Sequence, residues 1–434
     1  MNAPIRVVIV GGGWAGCAAA ARAKKAGAEA IVLERTDMLL GTGLVGGIFR
    51  NNGRFTAAEE MLAMGDDFFR LMDENAVHKD VEFPGHKHAS LYAVWKIEPV
   101  VKRYLLGLGA DLRMQTRAVE LERKDGKITA VLAKENGKDE VRIEGEVFID
   151  ATGTSAVPGN CMKHGNGCAM CVLRCHSFGP RVDLLKGSGI REWTAEKGPE
   201  ALGAMSGSCK LAKESLDPKI VAELERKGSA VVPVPEAVKE DIGILSKKAC
   251  QQYALKEFVD NLILLDTGPV KLMSPFFPLE DLRKVPGMEN ARYEDPLAGG
   301  KGNSMRYFDF ADCEPTMKAI GPISNLFCAG EKAGAMVGHT EVIVTGTLAA
   351  HNAVLSALGK PLVKLPDTLA VGDLVNSTTA KMKDYEGRQY KYTFSGSVYF
   401  ERMKKLGLYT TDVAEIKRRV ETAGLAGVFA KKLV

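Results

Sequence analysis

Short apolar runs divide the beginning of the chain into alternating elements. Val7–Val10 and Ala30–Leu33 are continuous apolar runs too short for a helix, as expected of parallel strands that are buried on both faces. Between them, Cys17–Lys25 is rich in alanine and is followed by Gly27, which predicts a helix and its end. The order of these elements predicts a β-α-β unit of a parallel sheet.

Alternating polar and apolar residues from Asp111 to Asp150 predict short antiparallel strands. Asp125-Gly126 and Asn136-Gly137 divide the stretch, and these are the dipeptides that most favour tight hairpin turns. The pattern therefore predicts a β-meander, which ends in another buried strand, Val147–Asp150.

Helix and strand signals continue along the rest of the chain. A capping box at Thr56–Glu59 predicts a helix through about Asp73, and Glu98-Pro99 predicts the start of another. The further predicted elements are a charged helix over Leu211–Lys227 around Pro218, strands at Asn261–Asp266 and Asn325–Cys328, a helix from about Thr340, and a helix from Thr411-Asp412 through about Ala423. A loop is expected around His78, His86 and His88, which are more typical of solvated or structural histidines than of metal ligands.

A glycine motif follows the first strand directly. Gly11, Gly13 and Gly16 form G-x-G-x-x-G, in which the first glycine allows a tight turn, the second lets a pyrophosphate approach the backbone, and the third lets the helix lie close to the strand. Glu34 ends the second strand, where an acid can hydrogen-bond a ribose hydroxyl. Strand, glycines, helix, strand and acid in register predict a dinucleotide site.

A second glycine cluster, Gly41–Gly47 with the sequence GTGLVGG, lies beyond the second strand. So many glycines suggest backbone lying against a flat ligand or a phosphate, whereas a flexible loop is the alternative.

Composition sets broader bounds. The 434 residues are enough for two or three domains, and 46% hydrophobic with 26% charged residues is ordinary for a soluble globular protein. A net charge of +4 neither requires nor excludes a nucleic-acid partner. Nine cysteines without a signal peptide favour a reducing, cytoplasmic setting, and the apolar stretch Val342–Leu358 falls short of a membrane span.

Two later motifs complete a resemblance to a known family. Phe148-Ile-Asp-Ala-Thr-Gly153 follows the meander, and Leu326–Gly346 combines a strand, Ala-Gly-Glu, a glycine-spaced loop and a helix. With the first glycine motif, these segments resemble the two-domain FAD-dependent oxidoreductases. The spacing of the glycines, Glu341 and Asn352 is most similar to the GidA/TrmFO branch, flavoproteins that modify transfer RNA. The resemblance covers roughly 1–160 and 320–355.

The resemblance implies an α/β fold and a bound FAD. The expected architecture is a Rossmann-like FAD-binding domain over 1–155 and 320–365, with a parallel sheet, helices on both faces and the meander. An inserted α+β substrate domain over 156–319 and a small helical extension over 366–434 complete it. Glu331 would bind the ribitol, and the helix after His339 would stabilise the reduced flavin. The expected FAD contacts are Gly11, Gly13, Gly16, Glu34, Arg35, Gly41, Gly46, Gly47, Val119, Ala151, Thr152, Gly153, Gly330, Glu331, Gly338, His339 and Thr340.

Four cysteines within fifteen residues, Cys161, Cys168, Cys171 and Cys175, open the inserted segment. Three interpretations remain open. Cys168 and Cys171 are a catalytic dithiol that exchanges electrons with the flavin, with a thiolate favoured by the preceding glycines and by Arg174. Alternatively, all four cysteines ligate an iron–sulfur cluster or zinc. In the third interpretation they are reduced thiols on a buried turn.

The sequence predicts an FAD-dependent oxidoreductase that transfers hydride between a small-molecule substrate and flavin. A tRNA-modifying flavoenzyme and a non-catalytic electron-transfer subunit are the alternatives. No membrane partner is expected, RNA is the less favoured partner, and a homo-oligomer is expected. Arg292, Arg306 and Tyr307 are candidate substrate contacts, and a basic C-terminal tail, interpreted mainly as a solvated face, comprises Lys404, Lys405, Lys417, Arg418, Arg419, Lys431 and Lys432.

Overall fold

A computed structural model describes residues 4–175, 177, 184–185, 188–194, 204–205, 208–240, 243, 253–303 and 305–434. The strands, numbered β1 to β19 in chain order, are Arg6–Val10, Glu29–Leu33, Ile48–Phe49, Ala76–Phe83, His86–Tyr92, Asp111–Arg113, Thr116–Lys124, Lys127–Glu135, Asp139–Glu144, Val147–Asp150, Glu192–Thr194, Ala204–Met205, Cys209–Leu211, Ser229–Pro233, Asn261–Asp266, Val270–Leu272, Met305–Arg306, Asp309–Ala311 and Leu326–Cys328.

Helices alternate with these strands in the first part of the chain and dominate its end. The α-helices, numbered α1 to α14 in chain order, are Trp14–Lys25, Gly53–Ala63, Phe68–Glu74, Val94–Gly107, Asn160–His164, Cys171–Arg174, Pro218–Lys227, Glu257–Asp260, Leu279–Leu282, His339–Ala357, Ala370–Lys381, Tyr385–Arg388, Ser397–Lys405 and Val413–Thr422.

A five-stranded parallel sheet organises the molecule, with strand order β19-β10-β1-β2-β6. Its apolar strands are buried on both faces, as their continuous hydrophobicity predicts. Helices α1 and α10 pack together on one face, where Ile9 lies against Gly16. On the other face Val8 lies against Gly145, at the end of the antiparallel meander β7-β8-β9. The Rossmann-like fold is confirmed, but the meander takes the place of the second helical layer.

The inserted region contributes a four-stranded antiparallel sheet, β13-β16-β15-β14, with its own apolar core. A three-stranded sheet, β3-β5-β4, shares a smaller core with Ile263 and Leu265 of β15. The two sheets join the insertion to the first part of the chain. The predicted strand at Asn261–Asp266 is confirmed as β15.

Several local predictions were wrong. Thr56 does not cap a helix, because α2 already begins at Gly53 and the Thr56 hydroxyl donates to the Thr410 carbonyl oxygen at 2.6 Å. Helix α4 begins at Val94 and includes Pro99. The helix predicted over 211–227 begins only at Pro218, where Asp217 caps it.

The three histidines expected in a loop lie on or beside the hairpin β4–β5 and have local partners. His78 Nε2 lies 2.9 Å from Asp266 Oδ2, His86 Nδ1 is 3.0 Å from the Asn51 amide, and His88 Nδ1 is 3.1 Å from Asp80 Oδ1. Each contact is with a different element, so these side chains have structural roles.

The helices after residue 366 share one hydrophobic core with the parallel-sheet domain. Leu374, Tyr399, Met403 and Val420 belong to the same buried cluster as the sheet. Tyr392 also pairs with the loop before α10, where its N–H donates to the Ala335 carbonyl oxygen at 2.8 Å. The predicted extension over 366–434 therefore packs against the parallel sheet through this shared core.

Candidate functional site

The carboxyl ends of strands β1, β2, β10 and β19 meet along one edge of a cavity of about 290 Å³. In parallel sheets this edge is where ligands bind. Backbone hydrogen bonds hold the turns together, from Gly11 N–H to Leu33 O at 2.9 Å and from Ala151 N–H to Val10 O at 2.9 Å. The predicted site residues that line the cavity are Gly11, Gly13, Glu34, Arg35, Gly41, Gly46, Ala151, Thr152, Gly153, Cys175, Arg306, Gly330, Glu331, Gly338 and His339.

The first glycine motif has the geometry that a dinucleotide requires. Gly11 has φ +105°, and a Cβ there would collide with the Ala151 carbonyl oxygen. A Cβ on Gly16 would collide with the Gly11 carbonyl oxygen, so Gly16 brings α1 close to the strand. Gly13 is different, because a Cβ there would meet nothing within 4 Å. The backbone at the start of α1 is therefore open to the cavity, where its N–H groups favour an anion.

Glu34 lies at the end of β2 and shapes the turn. One carboxylate oxygen accepts from Gly12 N–H and the other from Thr36 N–H, both at 2.8 Å. This places the acid beside the glycine motif, at the wall where a ribose is expected. From the meander Thr116, Arg117 and Ala118 line the cavity. Val119 does not, since its side chain points outward and is 43% exposed.

The third motif follows β19. Gly330 N–H donates to the Thr345 hydroxyl of α10 at 2.9 Å, which fixes the turn. Glu331 lies in the cavity wall, where its carboxylate pairs with Arg306 Nη1 at 3.1 and 3.2 Å. Of the predicted substrate contacts, Arg306 lines the cavity. Arg292 is exposed beside Glu214, and the Tyr307 hydroxyl lies 3.2 Å from Thr194 Oγ1.

The second glycine cluster makes room for side chains, which the sequence did not show. A Cβ on Gly43 would collide with the Trp14 indole, one on Gly46 with the His339 ring, and one on Gly47 with Thr267. Only Gly41 faces the first glycine motif, since a Cβ added there would lie 3.6 Å from Gly13 Cα. Gly47 and Thr340 are outside the cavity lining, and Thr340 is buried in the first turn of α10.

His339 is held as a neutral imidazole at the start of α10. Its Nδ1 lies 3.0 Å from the Ile48 carbonyl oxygen, which accepts a hydrogen bond from it, and its Nε2 lies 3.1 Å from the Tyr92 hydroxyl. Burial lowers the pKa of His339 to about 3, and Arg54 adds to the effect. The ring is therefore a fixed, uncharged part of the wall.

Sequence reasoning missed Arg54, which lines the cavity beside Gly338. Its Nε donates to both oxygens of the fully buried Glu341 at 3.1 and 3.2 Å, and its Nη1 donates to Asn51 Oδ1 at 3.1 Å. Glu341 also accepts from the Thr393 hydroxyl at 2.6 Å and from Phe394 N–H at 2.8 Å. Although Glu341 belongs to a recognised spacing, nothing along the chain identifies Arg54 as its partner.

The clustered cysteine that lines the cavity is not a member of the predicted dithiol of Cys168 and Cys171. Cys175 lines the cavity, whereas Cys161, Cys168 and Cys171 do not. Burial raises the pKa of both Cys168 and Cys171, which disfavours a thiolate at these positions. Hydrogen bonds from Ser177, with smaller effects of Cys171 and Arg35, lower the pKa of Cys175. The thiol nearest to a thiolate is therefore Cys175.

No group of three or more His, Cys, Asp or Glu side chains that could hold a metal ion is found among the described residues, which include all four clustered cysteines. The iron–sulfur or zinc site stays a prediction without a ligand cluster to support it. Within the same described part of the chain, every helix is too short or too polar to cross a membrane.

Comparison with known proteins agrees with this geometry. A family model described as FAD dependent oxidoreductase matches residues 6–158, and one described as Glucose inhibited division protein A matches residues 274–361. These two matches support a relationship to the FAD-dependent oxidoreductases of the GidA/TrmFO branch. FAD is its cofactor, and the open backbone at Gly13 fits a pyrophosphate there.

Individual relatives of this flavoprotein are distant. The chain is 28% identical over 110 residues to the methylenetetrahydrofolate–tRNA-(uracil-5-)-methyltransferase TrmFO of Caldicellulosiruptor bescii, a match spanning 25% of this chain and 24% of that enzyme. One crystal structure of Aquifex aeolicus GidA matches 96% of this chain and 76% of its own chain at 16% identity, with a TM-score of 0.63. A second crystal form matches 97% of this chain and 79% of its own at 15% identity, with a TM-score of 0.60. The structural likeness shows the fold.

Proposed function

We propose that this flavoprotein transfers hydride between a small-molecule substrate and its flavin. The observation that carries the proposal is the convergence of three glycine-containing turns, after β1, β10 and β19, on a single cavity that also receives the start of α10. FAD, when bound, supplies the two-electron acceptor. The substrate would enter from the side of the cavity formed by the insertion, where Tyr253, Met273 and Pro275 form the wall.

The charges around Gly338 suit an electron-rich ring. The N-terminus of a 19-residue helix carries about half a positive charge, and α10 begins at His339 in the cavity wall. Arg54 also lies beside Gly338, but its charge is balanced by Glu341 in the first turn of the same helix. Lys271 lies in the same wall, with its Nζ 2.8 Å from the Val45 carbonyl oxygen. Because the side chain of His339 is neutral and Arg54 is paired, the helix N-terminus and Lys271 supply the positive potential that would stabilise a reduced, anionic flavin.

The clustered cysteines are proposed to relay electrons after the flavin, in the role that the sequence assigns to Cys168 and Cys171. The structure adds Cys175 as a candidate, because it lines the cavity and its N–H donates to the Cys171 carbonyl oxygen at 2.8 Å. Serine variants at Cys168, Cys171 and Cys175 should retain FAD and lose turnover. Cys161, exposed and outside the cavity, provides the matched control, and unchanged turnover in all three variants would remove the cysteines from the reaction.

The central proposal is tested by anaerobic absorption spectroscopy of purified protein. The expected result is two resolved flavin bands that bleach on mild reduction. In a separate oxidised sample, the same bands should bleach when a substrate is added. Absence of flavin bands even after incubation with FAD would refute the proposal. Bleaching by chemical reductant with no turnover of any tested donor would indicate the electron-transfer subunit instead. A broad brown absorbance beneath the flavin bands would revive the iron–sulfur hypothesis.

A second candidate function is RNA modification, which the match of residues 274–361 to the GidA family favours. The TrmFO relative is named for methylation of tRNA uracil, and the matched segment is about a quarter of that enzyme. The predicted basic tail gives this candidate partial support, since Arg419 pairs with Glu415 whereas Lys417 and Arg418 are exposed. Co-purifying RNA and a steep salt dependence of RNA binding would favour it over a small-molecule substrate.

A further inference from the structure

Arg174 is a buried cation that the proposed chemistry does not use. It ends the short helix α6 within the cysteine segment, lines the FAD cavity and is only 3% exposed. Its main chain is anchored, because the Arg174 carbonyl oxygen accepts from Ala156 N–H at 3.0 Å. Its side chain is not, since Nε and Nη1 are buried and find no hydrogen-bond partner among the residues that the structure describes.

A buried guanidinium without an anionic partner is costly. Among the described residues, the charged neighbours that act on Arg174 are Arg306, which repels it, and Glu331, which attracts it. Glu331 is already engaged by Arg306, 3.1 Å away. Burial, followed by repulsion from Arg306, lowers the pKa of Arg174 to about 9. This corner of the cavity therefore lacks a negative charge, as a site built for an anion would.

The position of Arg174 along the cavity identifies the anion. On one side, helix α6 is tied to the adenosine end, because Arg35, the residue after Glu34, donates to the carbonyl oxygens of Leu173 and, at 3.4 Å, Val172. On the other side lies Glu331, assigned to the ribitol. In FAD the pyrophosphate lies between the ribose and the ribitol, and the open turn at Gly13 belongs to the same cavity.

We propose that Arg174 binds the FAD pyrophosphate, so that the cysteine segment of the insertion closes over the cofactor opposite the glycine turn. The inference rests on the proposed flavin function and adds a cofactor contact outside the three glycine motifs. It also gives the segment 160–175 a role that does not depend on cysteine chemistry. The α1 N-terminus contacts the pyrophosphate from one side, and the guanidinium supplies a charge-assisted contact from the other.

The test is the dissociation constant of FAD for apoprotein, measured by quenching of FAD fluorescence. R174Q should raise it by about tenfold to a hundredfold, as expected for a lost charged hydrogen bond, and R174K should lie between wild type and R174Q. R226Q, which removes an exposed arginine on α7, is the matched control and should bind FAD like wild type. Circular dichroism checks that each variant is folded. If R174Q does not fold, the affinity of R174K for FAD decides the test.

Displacement of FAD by ADP and by adenosine locates the contact. R174Q should weaken ADP by the same factor as FAD and leave adenosine unchanged, because only ADP contains the pyrophosphate. Wild-type affinity for FAD in folded R174Q, or loss of FAD affinity without loss of ADP affinity, would overturn the inference. Both results leave the proposed function intact, whereas wild-type apoprotein that fails to bind FAD at all would refute the function itself.

Discussion

Replacing Glu341 by glutamine should destabilise this flavoprotein strongly. The carboxylate is fully buried and joins three elements, since it receives Arg54 of α2, the Thr393 hydroxyl and Phe394 N–H. E341Q keeps the shape but leaves the guanidinium of Arg54, which is almost as deeply buried, without its counter-charge. Breaking a buried ion pair by removing one partner costs about 3–5 kcal/mol.

The expected change in melting temperature follows from the size of the chain. At about 2.1 cal/mol/K per residue, unfolding of 434 residues as one unit has an entropy of about 0.9 kcal/mol/K, so the loss corresponds to about 3–6 °C. Differential scanning calorimetry of the apoprotein measures it. E223Q is the control, because Glu223 pairs with Lys227 on the surface, and its effect should stay within about 0.5 kcal/mol.

A double variant separates the ion pair from mere packing. R54M removes the stranded charge at similar length, so R54M/E341Q should be less destabilised than the sum of its single variants by about 1–3 kcal/mol. A melting temperature for E341Q within about 1 °C of wild type, or strictly additive single effects, would refute the assignment of this pair as a charge-coupled unit.

Three further predictions concern the cavity and its supports. G46A should abolish FAD binding by displacing the His339 ring, whereas G107A, whose Cβ meets nothing within 4 Å, should bind FAD normally; equal FAD affinities would contradict the packing described here. Because Cys175 lines the cavity, its alkylation by iodoacetamide should slow several-fold when FAD is added. Mass spectrometry of the same sample measures both rates, and the exposed Cys161 should react at an unchanged rate. Burial and the nearby Arg22 lower the pKa of His351 to about 3, below its unfolded value near 6.5, so its contribution to stability is complete above pH 6.5 and is lost as the pH falls toward 3. In urea titrations H351Q should therefore show a shallower loss of stability below pH 6.5, by up to about 1.4 kcal/mol per pH unit, and an unchanged slope would refute the burial of a neutral ring.

The sequence correctly predicted those parts of the fold that depend on residues close together along the chain. The first β-α-β unit and the Asp125-Gly126 and Asn136-Gly137 hairpins rest on neighbouring residues, and each is confirmed. At both hairpins the aspartate or asparagine and the following glycine have positive φ, as the tight turn requires. The helix capped by Asp412 is confirmed for the same reason.

The rest of the site depends on contacts between distant segments, which spacing does not encode. Gly43 and Gly46 line the cavity, but spacing does not show that their missing side chains make room for the rings of Trp14 and His339, which lie elsewhere in the chain. The sequence did not identify Arg54 as a site residue because its partner Glu341 is 287 residues away along the chain. A thiolate at Cys168 was favoured by the preceding glycines and Arg174, whereas burial in the folded chain has the larger effect and raises the pKa of Cys168.

The edge strand Leu326–Cys328 has a consequence for biosynthesis. It pairs with β10 across a long insertion, and α10, which follows it, contributes His339 and Val342 to the cavity wall. A ribosome must therefore release most of the chain before the cavity can close, although domains generally fold from the N-terminus during synthesis. Cofactor loading should accordingly be a late, post-translational event, and when flavin is scarce, newly made apoprotein would expose its glycine turns to proteases.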